Sequence, residues 1–192
     1  SFTAGTHTFQ AGATILFLPE TGLTIGPANI ICNGTAVDSV RFTYFTTESG
    51  NWDGIFFDYN SDDGVSSQFY YTVISNAGFG GNNANLYCLN TNEPLLHRCN
   101  IRGADGNGIR LNNAHLNIQN ITVKSTTENG LYLQSSKPTL VSSLLTGNTG
   151  AGVYLSSTAS VPNYSAGSTY ISHNTYAIRY PSPNFDILQP NG

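Results

Sequence analysis

The sequence predicts an all-β chain wound as a solenoid, with short parallel strands laid coil upon coil. Three observations predict it. The phrases "NGIRL" (107–111), "NGLYL" (129–133) and "AGVYL" (151–155) place Gly108, Gly130 and Gly152 22 residues apart, a period typical of stacked repeats. Looser copies flank them, "ANLYC" (84–88) before and "YAIRY" (176–180) after. No stretch carries a 3.6-residue apolar period, and Gly, Asn, Ser and Thr separate the short apolar runs.

Each repeat divides into strands. Alternation in the phrase sends Ile109, Leu131 and Val153 to the same side as Leu111, Leu133 and Leu155, while Arg110, Tyr132 and Tyr154 point the other way. A second pattern, "LHRCNI" (96–101), "LNIQNI" (116–121) and "LVSSLL" (140–145), aligns with apolar first and sixth positions. Residues 84–180 hold the clearest coils; residues 13–75 form longer, less regular ones ("GLTIGPANIICNG", "DSVRFTYF", "NWDGIFFDYN", "SSQFYYTVI"). The expectation is one domain over residues 1–192, less regular over 1–75 and regular over 76–192, with no linker dividing it. It would hold roughly eight coils of about 22–25 residues, each pairing with the next at about 4.8 Å.

This architecture resembles the right-handed parallel β-helix repeats of the pectate-lyase-like superfamily. The segments "GNWDGIFF" (50–57) and "YYTVISNAGFGG" (70–81) are similar to a pattern of bacterial cell-surface β-helix modules. The resemblance implies a fold that carries many functions, so activity has to be argued from sites. A polysaccharide lyase of this fold implies a carboxylate cluster for calcium and an Arg or Lys base on neighbouring coils. Asp105, Glu93, Glu128 and Asp186 read as isolated, and Arg110 falls on a different strand from Arg98 and Arg102, so that pattern is not recovered.

Composition narrows the partners. Charged residues make up 9% of the chain, against roughly 25% in ordinary soluble proteins, and the net charge is −4. With Lys124 and Lys137 the only lysines, no basic stripe exists, which argues against nucleic acid and anionic membranes. No apolar run is long enough to span a bilayer, which argues against membrane insertion. Scarce Lys and Glu with abundant Asn and Thr point to an exported, extracellular or cell-surface protein. The lack of any methionine, even at position 1, points to a processed form or an excised piece. Cys32, Cys88 and Cys99 have no metal-type spacing and read as small buried hydrophobes. Cys88 takes the inward slot of Leu111, Leu133 and Leu155, and Cys99 the slot of Gln119 and Ser143.

The outward column is the main candidate site. Tyr87, Arg110, Tyr132, Tyr154 and Arg179 fall at equivalent positions in five successive coils, with Phe56 one coil earlier. Such a ladder holds sugar rings, stabilises neighbouring strands or forms a lateral protein contact. No cofactor is indicated apart from calcium. For that ion "DYNSDDG" (58–64) offers Asp58, Asn60 and Asp62 at alternating positions, although Gly64 comes one place late and Phe69 replaces the closing Glu of an EF-hand. Asp53 and Asp58 flank "GIFF" and would meet as a hydrolase pair only through loop folding. His7, His97, His115 and His173 share no spacing. The sequons at Asn33, Asn120 and Asn163, and "DSV" (38–40), are weak modification signals.

No capping helix is predicted at either terminus, although "FDIL" (185–188) reads as a strand after Pro181 and Pro183. Open β-helix ends invite self-association into a fibre. The functional expectation is therefore a non-catalytic structural or adhesive β-helix. It would stack end to end, and its Tyr/Arg ladder would contact polysaccharide. The alternative is a polysaccharide lyase or glycoside hydrolase.

Overall fold

A computed structural model describes residues 1–45, 50–58, 66–157, 160–164, 168–180 and 186–188. The chain winds through seven coils, close to the eight expected, and each coil contributes one strand to each of three parallel sheets. The first sheet contains Thr6–Gln10, Asn29–Asn33, Gln68–Tyr70, Leu95–His97, Asn117–Gln119, Thr139–Val141 and Asn163–Tyr164. The second contains Thr14–Phe17, Val40–Tyr44, Thr72–Ser75, Asn100–Arg102, Thr122–Lys124, Leu144–Thr146 and Tyr170–Ser172. The third contains Gly22–Ile25, Gly54–Phe57, Ala84–Leu89, Asn107–Asn112, Leu131–Gln134, Ala151–Leu155 and Tyr176–Arg179. An eighth strand, Asp186–Leu188, joins the third sheet antiparallel. Among the described residues the one helical element is a 3-10 turn, Gly80–Asn82.

Alternation along each strand drives the packing. Inward residues stack directly on their counterparts one coil away, as in Leu86, Ile109, Leu131 and Val153 of the third sheet. The second sheet does the same with Phe42, Ile74, Ile101, Val123 and Leu145. All nine of these side chains are fully buried. Aromatic rings fill the early coils. Phe17 stacks on Trp52 at 4.2 Å, and Phe42 lies 6.1 Å from Phe69. Later coils close around Leu, Ile and Val.

The middle copy of the second repeat pattern sits two residues away from its expected register, while "LHRCNI" and "LVSSLL" align as expected. Leu96 pairs with Ile118 rather than Leu116, and Ile118 pairs with Leu140. A two-residue slip keeps every side chain on its own face, so apolar patterning cannot detect it. Leu116 is also buried, at the corner before its strand, and so supplied a false first position. Consequently Cys99 stacks with Ile121 and Ser143, not with Gln119, and its thiol donates to Phe69 O at 3.2 Å.

Corners are built by two devices. Left-handed residues turn the chain at stacked positions: Arg98, Asn120 and Ser142 after the first sheet, and Asn90, Asn113 and Ser135 after the third. Next to them a backbone N–H points along the axis, and a small polar side chain of the following coil accepts it. Ala114 N donates to Ser136 Oγ at 3.1 Å, Ile121 N to Ser143 Oγ at 3.4 Å, and Asn148 N to Asn174 Oδ1 at 2.9 Å. Buried Glu93 performs the same task, accepting from Ser67 N at 2.9 Å. Without these acceptors a buried N–H would stand unpaired at each corner.

The glycines of the repeated phrase have a steric reason. A Cβ on Gly108 would run into Val123 Cγ1 and lie 2.7 Å from Gly130 O, and one on Gly130 would lie 2.8 Å from Gly152 O. At these positions the chain turns from the second sheet into the third, and backbone packs directly against the coil above.

Candidate functional site

The outward face of the third sheet carries a continuous stack. Strand register aligns Phe56, Tyr87, Arg110, Tyr132, Tyr154 and Arg179 on six successive strands. Phe56 and Tyr87 stack at 4.9 Å and 25°, and Tyr132 and Tyr154 at 5.2 Å and 15°. The Arg110 guanidinium is sandwiched, 4.6 Å from the Tyr87 ring and 5.8 Å from that of Tyr132. Arg179 closes the row, 5.9 Å from the Tyr154 ring and 5.0 Å from that of Tyr176. Parallel strands about 4.8 Å apart impose this spacing on any outward column.

The stack defines what the face can bind. Its rings lie against one another or against guanidinium groups, so their faces are largely occupied. What the row turns to solvent is ring edges, hydroxyls and guanidinium N–H groups. Among the described residues no hydrogen bond engages the hydroxyls of Tyr87, Tyr132 or Tyr154. Arg110 is held in place, donating to Gly81 O at 3.2 Å and Asn82 O at 3.4 Å of the 3-10 turn.

One side of the stack is bordered by the turns from the second to the third sheet, where carboxylates gather. Asp105 and Glu128, which read as isolated in the sequence, sit on equivalent turns of adjacent coils. Thr127 Oγ1 donates to Asp105 at 3.3 Å, and Glu128 Oε2 accepts from Asn107 at 2.7 Å and from Asn83 at 3.0 Å. Asn107 in turn accepts from Asn129 Nδ2 at 2.9 Å, and Asn129 from Ala151 N at 2.9 Å. This amide network was missed in the sequence; its signal was Asn107 and Asn129, one residue before the first two repeated glycines, Gly108 and Gly130. Farther along the same edge, burial and then the nearby Glu20 carboxylate raise the Asp53 carboxyl above its usual range.

Other candidates separate. Asp58 is exposed at the far end of the Gly54–Phe57 strand from Asp53, so the two do not form a pair through that strand. Asn60 and Asp62 lie outside the described residues, as does the rest of the proposed calcium loop between them. Among the described residues no three His, Cys, Asp or Glu side chains gather in a metal-binding group. Cys32, Cys88 and Cys99 are buried and free. His97 lies tilted against Tyr70 of the first sheet at 5.2 Å, and His7 stacks on Phe2 at 4.0 Å.

Against known protein families, the model described as "Right handed beta helix region" matches residues 28–180. No curated protein and no solved structure matches the chain.

Proposed function

The chain belongs to the right-handed β-helix family, and from that premise we propose that it works without catalysis. In this reading it is an extracellular structural or adhesive solenoid whose third-sheet stack is a contact surface for polysaccharide. The observation that carries it is the unbroken row from Phe56 to Arg179, with phenolic hydroxyls that no group of the described chain engages. A straight row of donors and acceptors suits a polymer better than a compact ligand, because each added coil offers the next sugar another contact. Tyr supplies a donor and an acceptor at little entropic cost, and Arg supplies fixed paired donors. The Asn- and Thr-rich, lysine-poor composition supports export.

A second reading, a glycoside hydrolase or lyase, is favoured by Asp53. Burial, and then the nearby Glu20 carboxylate, raise the Asp53 carboxyl, which is the direction a general acid requires, and both residues sit on the edge that borders the stack.

Affinity electrophoresis against neutral and acidic polysaccharides, with assays for new reducing and unsaturated ends, tests both readings. Retardation without end formation supports the contact surface. New ends that disappear in Asp53→Asn establish the hydrolase, and absence of retardation on every polymer overturns the polysaccharide reading.

A further inference from the structure

The second sheet gathers cations and holds no acid. Of the chain's seven lysines and arginines, Arg41, Arg102 and Lys124 lie on its strands, and none of those strands carries Asp or Glu. Two of the three cations are neighbours. Strand register pairs Arg102 with Lys124 on adjacent coils, and both alternate outward from Ile101 and Val123, which are fully buried. Parallel strands hold the two backbones about 4.8 Å apart. Like charges at directly opposed positions of a sheet repel and weaken the pairing.

Nothing among the described residues relieves that repulsion: neither side chain makes an ion pair or a hydrogen bond there. The acids closest in sequence are committed elsewhere. Asp105 accepts from Thr127 Oγ1 and from Asn51 Nδ2, each at 3.3 Å, and Glu128 accepts from Asn83 and Asn107. Along the same outward column the pair is flanked by hydroxyls, Ser75 in register with Arg102 on one side and Thr146 with Lys124 on the other. Each has a hydroxyl partner one coil farther out, Ser75 donating to Thr43 Oγ1 and Ser172 to Thr146 Oγ1, both at 3.1 Å. These partners are uncharged and do not neutralise the cations. The column therefore presents a guanidinium and an ammonium side by side, with their N–H donors unused by the described chain.

We propose that Arg102 and Lys124 form an oxyanion site on the second sheet, separate from the third-sheet stack. The group it takes is a carboxylate or sulfate, carried by an acidic polysaccharide or free in solution. Guanidinium offers two parallel N–H groups to such an oxyanion, and ammonium adds a point charge on a flexible stem. One oxyanion held between them replaces the repulsion with attraction on both sides. This goes beyond the polysaccharide contact of the third sheet and does not depend on it.

Two double variants test it. Arg102→Gln with Lys124→Gln removes the paired charges and keeps polar side chains in their place. Arg41→Gln with Lys137→Gln removes the same charge from two other exposed positions and is the control. Isothermal titration calorimetry would measure binding of inorganic sulfate, dextran sulfate, polygalacturonate and uncharged dextran. Ionic strength is held fixed, since salt screens exposed charges, and circular dichroism confirms folding. The wild type is expected to bind the oxyanions through this site. The paired variant is expected to bind them at least about tenfold more weakly, and the control within about threefold of wild type, because only the paired variant loses charge-assisted hydrogen bonds. Sulfate binding as tightly as the polymers, per charged group, supports the site with a free anion as its ligand. Tighter binding of the polymers supports it with an acidic polysaccharide. A paired variant that binds as the control does would overturn the proposal while leaving the third-sheet reading untouched. A wild type that binds none of the oxyanions would overturn it as well.

Discussion

Replacing Asn148 with alanine should destabilise the whole stack by about 2–4 kcal/mol. Asn148 is 2% exposed at the corner between the second and third sheets of the sixth coil. Its Oδ1 accepts from Thr126 N at 3.3 Å and Thr126 Oγ1 at 2.9 Å, and its Nδ2 donates to Asn174 Oδ1 at 2.8 Å. Alanine leaves two of these groups with alternatives. Thr126 Oγ1 still reaches Glu128 O at 3.2 Å, and Asn174 Oδ1 still accepts from Asn148 N at 2.9 Å. The Thr126 N–H has no second acceptor and becomes a buried orphan, which costs about 1–3 kcal/mol. The vacated side-chain volume adds about 1 kcal/mol. Urea unfolding followed by circular dichroism measures the loss. Trp52, the single tryptophan, is buried in the second coil against Phe17, so its fluorescence reports from the opposite end of the stack. Coincident shifts in the two signals mean the coils unfold together; a shift in dichroism alone means they unfold regionally. Exposed Thr149→Ala is the control, expected within about 0.5 kcal/mol of wild type. A change under about 0.5 kcal/mol for Asn148→Ala would refute the reasoning that side chains of the next coil satisfy each corner.

Gly108→Ala should cost about 1–3 kcal/mol by overpacking against Val123 and the Gly130 carbonyl, read as a lower urea midpoint. Burial pushes the Cys99 thiol up to about 12 and raises those of Cys32 and Cys88 as well, so a thiol reagent at pH 8 should label none of the three until urea unfolds the chain. The thiols are neutral in the fold and ionise near their ordinary value of 9.0 once unfolded, so their contribution to stability is present below about pH 9 and is lost as pH rises toward 12. Asp53→Asn should raise the urea midpoint at neutral pH. A raised carboxyl favours the fold below the unfolded value of 3.8 and loses that contribution as pH rises, so the gain should shrink on acidification.

Much of this was legible in the sequence because a β-helix repeats its chemistry. The column from Tyr87 to Arg179 could be aligned by eye, since Gly108, Gly130 and Gly152 before its three middle members mark positions where a side chain would collide with the next coil. The register of "LNIQNI" could not, because a slip of two preserves which residues face inward and Leu116 is buried in either reading. The turns that fix the true register are held by Arg98, Asn120 and Ser142, three residue types with no common turn signature. Asp105 and Glu128 seemed isolated because they are 23 residues apart in sequence; coil geometry places them on turns of adjacent coils, Asp105 against Thr127 beside Glu128. The edge-covering strand was visible as "FDIL", but its antiparallel direction depends on pairing that no local pattern encodes.

Replacing Tyr87, Tyr132 and Tyr154 together with phenylalanine tests the central claim most directly. The substitution keeps the rings stacked and removes only hydroxyls that the described chain does not use. Unfolding in urea and affinity for the polysaccharide that retards the wild type would be measured on the same preparation. A contact surface predicts an unchanged urea midpoint and at least about tenfold weaker binding, in line with about 0.5–1.5 kcal/mol for each hydrogen bond lost. Unchanged affinity with the stack intact would contradict it and leave the row as a strand-stabilising ladder.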